Sequence, residues 1–141
     1  PYWNSKSRGL ITGLTRDSDW RDLVRATIES VAYQTSDLFL SMRKDGLNPK
    51  SVKVDGGMVS NNWFVQFLSE ILKIKITRSK INETTALGAA YMAGYQTGIY
   101  RSLSDIKQNW KKDRDFKPKF NKSYRNKLLQ GWQQAIKKTL A

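Results

Sequence analysis

Apolar residues recur at intervals of three and four from Trp20 to Met42, which predicts a long amphipathic helix. We expect an N-cap at Asp17 or Ser18 and an end near Lys44, because Asp45-Gly46 is a stop signal that Pro49 follows. The side predicted to face solvent carries Arg21, Asp22, Arg25 and Glu29. The predicted apolar face consists of Trp20, Leu23, Val24, Thr27, Ile28, Val31, Leu38 and Met42.

Shorter patterns follow and alternate between strand and helix. Residues 51–55 and 74–77 predict two strands, and a helix from about Asn61 lies between them. This second helix is expected to bury Phe64, Phe67, Leu68, Ile71 and Leu72. A third helix is predicted over residues 82–98. Small residues that would allow close packing against a neighbour occur in it at Ala86, Ala89, Ala90, Ala93 and Gly94.

The pattern weakens after Gly98. We expect a short helix over residues 103–110, capped by Ser102 or Ser104, and then a charged, extended connector over residues 111–120. The last helix is predicted over residues 123–140. Its apolar face consists of Leu128, Leu129, Trp132, Ala135 and Ile136.

This order of elements predicts an α/β fold in which helices cover a sheet. Residues 9–15 suit a further strand or an extended turn. The visible strands are too few for a sheet of ordinary size, so we expect the others to lie upstream of Pro1. A chain that begins with Pro1 rather than Met also suggests a piece of something longer.

Composition narrows the chemistry more than the fold. The 141 residues suffice for one packed domain, and five Trp with a hydrophobic fraction of 39% favour a globular body. Because the chain has neither Cys nor His, it excludes disulfides, thiolate metal sites and Ser-His-Asp catalysis. No apolar run is long enough to span a bilayer, so a cytoplasmic protein is expected.

The net charge of +13 is concentrated near the C-terminus, where residues 107–141 hold eleven Lys or Arg and two Asp. One interpretation is a patch for nucleic acid or an anionic membrane surface. The other is a solvated, Lys-rich helix face. We favour the second, because the aromatic residues there follow no base-stacking pattern.

Residues 54–63 (VDGGMVSNNW) are the segment with candidate binding chemistry. A strand runs into Gly56 and Gly57, which lack Cβ atoms and let a ligand approach the backbone. The side-chain amide of Asn61 suits a purine edge or a ribose. A plain turn with an Asn or Ser helix cap explains the segment equally well. The spacing fits neither a Walker A loop nor a dinucleotide fingerprint.

Five segments together resemble one family, the sugar and polyol kinases named after their FGGY motif. They are residues 9–29 (GLITGLTRDSDWRDLVRATIE), 30–35 (SVAYQT), 54–62 (VDGGMVSNN), 83–94 (ETTALGAAYMAG) and 131–139 (GWQQAIKKT). Their combination is most similar to the glycerol-phosphorylating branch of that family. The resemblance implies the C-terminal part of a ribonuclease-H-like ATPase domain of the actin and hexokinase type. It implies a single nucleotide-binding portion over residues 1–141, which includes a basic connector and C-terminal helix over residues 111–141.

The resemblance also implies the ligands. Gly57 and Asn61 correspond to positions that bind the adenine and ribose end of ATP, and Gly56 shapes the same turn. ATP, Mg²⁺ and glycerol would meet only in the complete enzyme, which is expected to be cytoplasmic and to have the capacity to form a homo-oligomer. The family's catalytic aspartate lies in a Gly-Asp-Gln segment that this sequence lacks. We therefore expect no catalytic residue and no metal ligand in this chain.

Residues next to these positions, and the chain as a whole, admit alternative roles. Asp55 fits a turn residue better than a base, and Ser60 and Asn62 fit helix-start residues better than ligands. Tight packing is the favoured explanation for residues 85–94. The alternative to an inactive kinase portion is a stand-alone nucleotide- or partner-binding module from a truncated gene.

Overall fold

The computed structural model describes residues 4–81 and 83–140, which form five α-helices and three β-strands. The helices are α1 (Trp20–Lys44), α2 (Asn62–Leu72), α3 (Thr84–Gln96), α4 (Leu103–Gln108) and α5 (Lys122–Leu140). The strands are β1 (Ser51–Val54), β2 (Lys75–Ser79) and β3 (Lys112–Phe116), and a 3₁₀ turn spans Gly57–Ser60. The predicted α/β order is confirmed. Among the described residues no helix is both long and apolar enough to cross a membrane.

The sheet has the order β1-β2-β3. β1 and β2 are parallel, with Val52 opposite Ile76, and the 3₁₀ turn and α2 connect them. β3 returns antiparallel to β2 and places Phe116 opposite Ile76. The connection from β1 to α2 therefore lies at the carboxyl end of a parallel strand, where open α/β sheets bind ligands.

Helix α2 is the centre of the molecule, because it packs against α1, α5, β2 and β3. Eight of its eleven residues are buried, including all five predicted ones: Phe64, Phe67, Leu68, Ile71 and Leu72. A helix that is buried on nearly every side does not have the polar face of a surface helix. Its end is set by Lys73, which adopts the left-handed conformation with φ 56°.

Helix α1 has the predicted span but a different cap and a different buried face. Asp19 is the N-cap: its carboxylate accepts from the Arg21 amide at 2.7 Å, while Asp22 accepts from the Asp19 amide at 3.1 Å. Because this reciprocal capping box places the N-cap at Asp19, the prediction of Asp17 or Ser18 as the N-cap was wrong. The buried residues are Ala32, Tyr33, Ser36, Asp37 and Phe39. Leu23, Val24 and Leu38 are exposed, because no described element covers the start of the helix or that side.

Strand β3 lies in the segment that we predicted to be an extended connector, so that prediction was wrong. Its sequence, KDRDF, is polar except for Phe116 and shows no apolar alternation. The strand is defined by its pairing with β2 and by two bonds from α2, one to its last residue and one to the residue that follows. The Ser69 hydroxyl donates to the Phe116 carbonyl at 3.2 Å, and Gln66 Nε2 donates to the Lys117 carbonyl at 2.9 Å.

Helix α5 forms as predicted, and its apolar face, including Leu128, Leu129 and Trp132, packs against the core. The Trp132 indole stacks on the Tyr33 ring with centroids 5.5 Å apart. Its Nε1 donates to the buried carboxylate of Asp37 at 2.6 Å, and Gln133 Nε2 donates to the same group at 3.1 Å. Two polar contacts therefore fix where α5 lies on α1.

Two further expectations need correction. Residues 9–15 form no strand, so the strand alternative was wrong; Gly13 has φ 89°, and the Thr15 amide donates to Ser18 Oγ at 2.9 Å. In α3 the side chains of Ala86, Ala89, Ala90 and Ala93 are exposed, so the tight packing expected of residues 85–94 is not made by the described chain. Gly94 alone is buried there: an added Cβ would lie 2.8 Å from the Tyr100 ring. Helix α4 is capped by Ser102, as one of the two alternatives predicted.

Acid should weaken the attachment of β3. The Thr77 hydroxyl donates to Asp115 at 2.7 Å, and this bond, followed by one from Lys112, holds the pKa of Asp115 below its ordinary value. A lowered carboxyl pKa in the folded state adds stability at neutral pH that is lost as the pH falls below about 4. We expect Asp115→Asn to flatten the pH dependence of the urea midpoint in that range. An unchanged profile would contradict this assignment.

Candidate functional site

The glycine turn, which we define as residues 56–61, joins β1 to α2. Gly56 has φ 95° and ψ 171°, a conformation that side chains disfavour. The turn is held internally by two backbone bonds, Val59 to Gly56 at 3.3 Å and Asn61 to Met58 at 3.2 Å. The side chain of Val59 is buried beneath it. The three residues predicted to bind nucleotide are therefore brought together in one short segment.

The two glycines differ in what the fold requires of them. Gly56 needs its positive φ, whereas Gly57 does not have one. A Cβ added to either glycine would meet no atom within 4 Å. Neither conformation nor packing within the described chain thus accounts for a glycine at position 57. Close approach of an outside group to the backbone gives a reason for it.

Asn61 is the N-cap of α2. Its Oδ1 accepts from the Trp63 amide at 2.9 Å and from the Phe64 amide at 3.2 Å. The cap interpretation from the sequence is therefore confirmed. Asn62 begins the helix, as expected of a helix-start residue, whereas Ser60 ends the 3₁₀ turn before it. Because both recorded bonds use Oδ1, only Nδ2 of this exposed side chain remains unpartnered within the described residues. That leaves the side chain as a hydrogen-bond donor towards a ligand.

A groove of 320 Å³ opens beside the cap. Trp20, Arg21, Val24, Arg25 and Ile28 from α1 line it, together with Asn61 and Trp63. The Trp63 ring stacks on Phe67 at 5.2 Å, which ties the start of α2 to the core. Arg25 lies 5.7 Å from the Trp63 ring and pairs with Glu29 at 2.7 Å, which raises the pKa of its guanidinium. Gly56 and Gly57 do not line this groove.

Arg78 supports the turn through contacts with its backbone carbonyls. This residue was not selected from the sequence. Its Nη1 donates to the Val59 carbonyl at 2.7 Å and lies 3.4 Å from the Ser60 carbonyl. On its other side the guanidinium pairs with Asp113 at 2.6 Å. An arginine in a short strand has no sequence signal that reveals such a contact, because both partners come from distant segments.

Acidic groups are sparse around the turn. Asp55 is exposed at the end of β1, in keeping with a turn residue. Within residues 4–81 and 83–140, no three carboxylates lie together in a way that would hold a metal ion. The described residues therefore supply no cluster of three acidic ligands for Mg²⁺.

Comparison with known proteins places this geometry in a family. Residues 1–97 match the model of the C-terminal domain of the FGGY family of carbohydrate kinases. Glycerol kinase 1 of Pseudomonas aeruginosa is 49% identical over 138 residues, which cover 98% of this chain and 28% of that protein. The glycerol kinase of Rhodospirillum centenum is 47% identical, with coverage of 99% and 28%. The chain thus spans little more than a quarter of these relatives.

Solved structures agree on the architecture. The crystal structure of Plasmodium falciparum glycerol kinase with ADP matches all of this chain and 28% of that one, with a TM-score of 0.86 and 36% identity. A ligand-bound xylulose kinase from Lactobacillus acidophilus matches 96% of this chain and 26% of that one, with a TM-score of 0.71; at 24% identity it shows the fold alone. The predicted actin and hexokinase type of ATPase fold is confirmed. The chain belongs to the FGGY family of carbohydrate kinases, as part of its C-terminal domain.

Proposed function

We propose that this chain supplies one wall of the ATP site of a glycerol kinase, which transfers the γ-phosphate of ATP to glycerol and gives sn-glycerol 3-phosphate. The observation that carries the proposal is the open backbone at Gly57, next to the Asn61 cap at the carboxyl end of β1. Support comes from the likeness over the whole chain to a glycerol kinase solved with ADP. The adenosine end of the nucleotide would lie over the turn.

The chemistry of the two residues fits a nucleoside. The bare backbone at Gly57 admits a flat ring at van der Waals distance, since no described atom occupies the space above it. The Nδ2 group of Asn61 offers a donor to a purine nitrogen or a ribose oxygen. Gly56 keeps the two groups in place through its positive φ and need not touch the ligand.

Phosphoryl transfer requires the nucleophile, the metal and the γ-phosphate to be positioned together. The chain has no Gly-Asp-Gln segment to supply the expected base. We therefore expect no formation of glycerol phosphate when the purified chain is incubated with ATP, Mg²⁺ and glycerol. Detection of [³²P]glycerol phosphate above a no-protein control would contradict this expectation.

ADP binding to the isolated chain provides the direct test. Because only one wall is present, we expect weak binding, with a Kd of about 1–10 mM. Two-dimensional NMR should show ADP-dependent shifts at the Gly57 and Asn61 amides, with α5 unaffected. The absence of any such shift at saturating ADP would refute the proposed site.

A matched pair of glycine variants separates binding from folding. Gly57→Ala should leave the free energy of unfolding within about 0.5 kcal/mol of the parent, since the new methyl group meets nothing in the protein. It should nevertheless abolish the ADP shifts, because the methyl group occupies the ligand's space. Gly56→Ala should lower stability by about 1–2 kcal/mol through its positive φ. ADP binding by Gly57→Ala equal to that of the parent would count against contact at this residue.

A further inference from the structure

The glycine turn needs support from outside its own residues. It contains two glycines, and its two internal backbone bonds are long, at 3.2 and 3.3 Å. The carbonyl groups of Val59 and Ser60 come just before the Asn61 cap, so their positions set where α2 begins. Any group that fixes these carbonyls also fixes the position of Asn61.

Arg78 is built to fix them. It leaves β2 next to the turn, and its side chain is 13% exposed. Nη1 donates to Val59 at 2.7 Å, while Nε and Nη2 both lie within 2.7 Å of Asp113 Oδ2. The guanidinium also lies 5.4 Å from the Phe116 ring. A planar fork with five donors can serve two partners at once, and a lysine ammonium cannot reproduce that geometry.

Asp113 is directed towards Arg78 by an irregularity in β3. The pairing passes from Arg78 opposite Arg114 to Ser79 opposite Lys112, so Asp113 has no Cα partner in the ladder. An extra residue of this kind bends a strand and redirects a side chain. The bulge thus places the Asp113 carboxylate against the Arg78 guanidinium. The remaining N–H groups of Arg78 are then oriented towards the turn.

We propose that Arg78 is the positioning residue of the nucleotide-binding turn, and that Asp113 holds it in place. This inference rests on the proposed nucleotide site and adds to it a dependence on β3. Arg78 need not touch the ligand: it acts through the Val59 and Ser60 carbonyls. Strand β3, which the sequence pattern did not reveal, is thereby connected to the binding residues through Asp113.

The test compares Arg78→Lys with Arg114→Lys in the full 141-residue chain. Arg114 is a matched control, because it faces Arg78 in the ladder and lies 5.3 Å from the same Phe116 ring, yet its recorded contacts do not include the turn. We expect Arg78→Lys to weaken ADP binding about tenfold, as for the loss of a charge-assisted hydrogen bond. Arg114→Lys should bind ADP like the parent.

Hydrogen exchange supplies a measurement that does not depend on nucleotide. In Arg78→Lys, the Val59 and Asn61 amides should exchange about tenfold faster, while the Ile71 and Leu72 amides in the core keep their rates. Asp113→Asn should change the same two amides in the same direction. Equal acceleration of turn and core would show a merely structural role and overturn the proposal, as would unchanged rates in the turn.

The outcomes separate this inference from the function on which it rests. If the parent chain shows no ADP response, the proposed function fails, and the nucleotide role of Arg78 fails with it. If the parent binds ADP and Arg78→Lys binds it equally well, the function stands and the inference is overturned. Weaker ADP binding together with faster exchange confined to the turn supports both.

Discussion

Replacing Glu70 with alanine should destabilise the protein by about 3 kcal/mol, the cost of removing one partner from a buried charged network. Glu70 is 2% exposed and lies on α2. Its Oε2 accepts from the backbone amides of Lys119 and Phe120, and its Oε1 accepts from Gln66 Nε2. Truncation would leave the two backbone amides without an acceptor, and Gln66 Nε2 would keep only its bond to the Lys117 carbonyl. The expected loss would appear as a lower urea midpoint by tryptophan fluorescence.

Glu70→Gln is the control for this variant. It keeps the size of the side chain and one carbonyl oxygen for the Lys119 and Phe120 amides, so we expect a loss of only about 1 kcal/mol. A stability for Glu70→Ala within about 0.5 kcal/mol of the parent would show that the network contributes little. Equal losses in the two variants would show that charge, rather than acceptor geometry, matters here.

Asp37→Ala should produce the second large effect, a loss of about 2–3 kcal/mol that is felt first in α5. The buried carboxylate of Asp37 is the acceptor for both Trp132 and Gln133. Without it, the indole that stacks on Tyr33 loses its polar anchor. We expect a red-shifted Trp132 emission and faster hydrogen exchange over residues 122–140 than in the rest of the chain.

Asp17→Ala provides the comparison for net charge. It also removes one carboxylate from a chain of charge +13, but Asp17 is exposed. Surface changes of this kind usually stay within about 0.5 kcal/mol. If Asp17→Ala were as destabilising as Asp37→Ala, general electrostatics would explain both results, and the specific contact with α5 would be refuted.

Most of the fold could be predicted because its helices follow their periodic patterns. The bounds of α1 and the buried face of α2 came directly from apolar spacing. Strand β3 could not be found in this way, since its order depends on side chains of α2 that contact its backbone from about 50 residues away. The exposed alanines of α3 were misjudged for a related reason: spacing identifies a face but not what covers it.

In the candidate site, too, local features could be predicted from the sequence and distant contacts could not. The strand, the two glycines and the helix start are local, so Gly56, Gly57 and Asn61 could be selected from sequence. The cap at Asn61 was an open alternative there, and the structure decided it. Arg78 was missed, because its partners Val59 and Asp113 lie 19 and 35 positions away along the chain. The binding of nucleotide by the selected residues remains a prediction.

The contact between α2 and the segment after β3 bears on where the folded domain ends along the chain. The family's domain model stops at residue 97, yet the buried carboxylate of Glu70 is satisfied by backbone at positions 119 and 120. Phe116, which is 4% exposed, also lies beyond that limit and inside the core. The region that the family's domain model matches is therefore shorter than the region whose contacts hold the folded domain together.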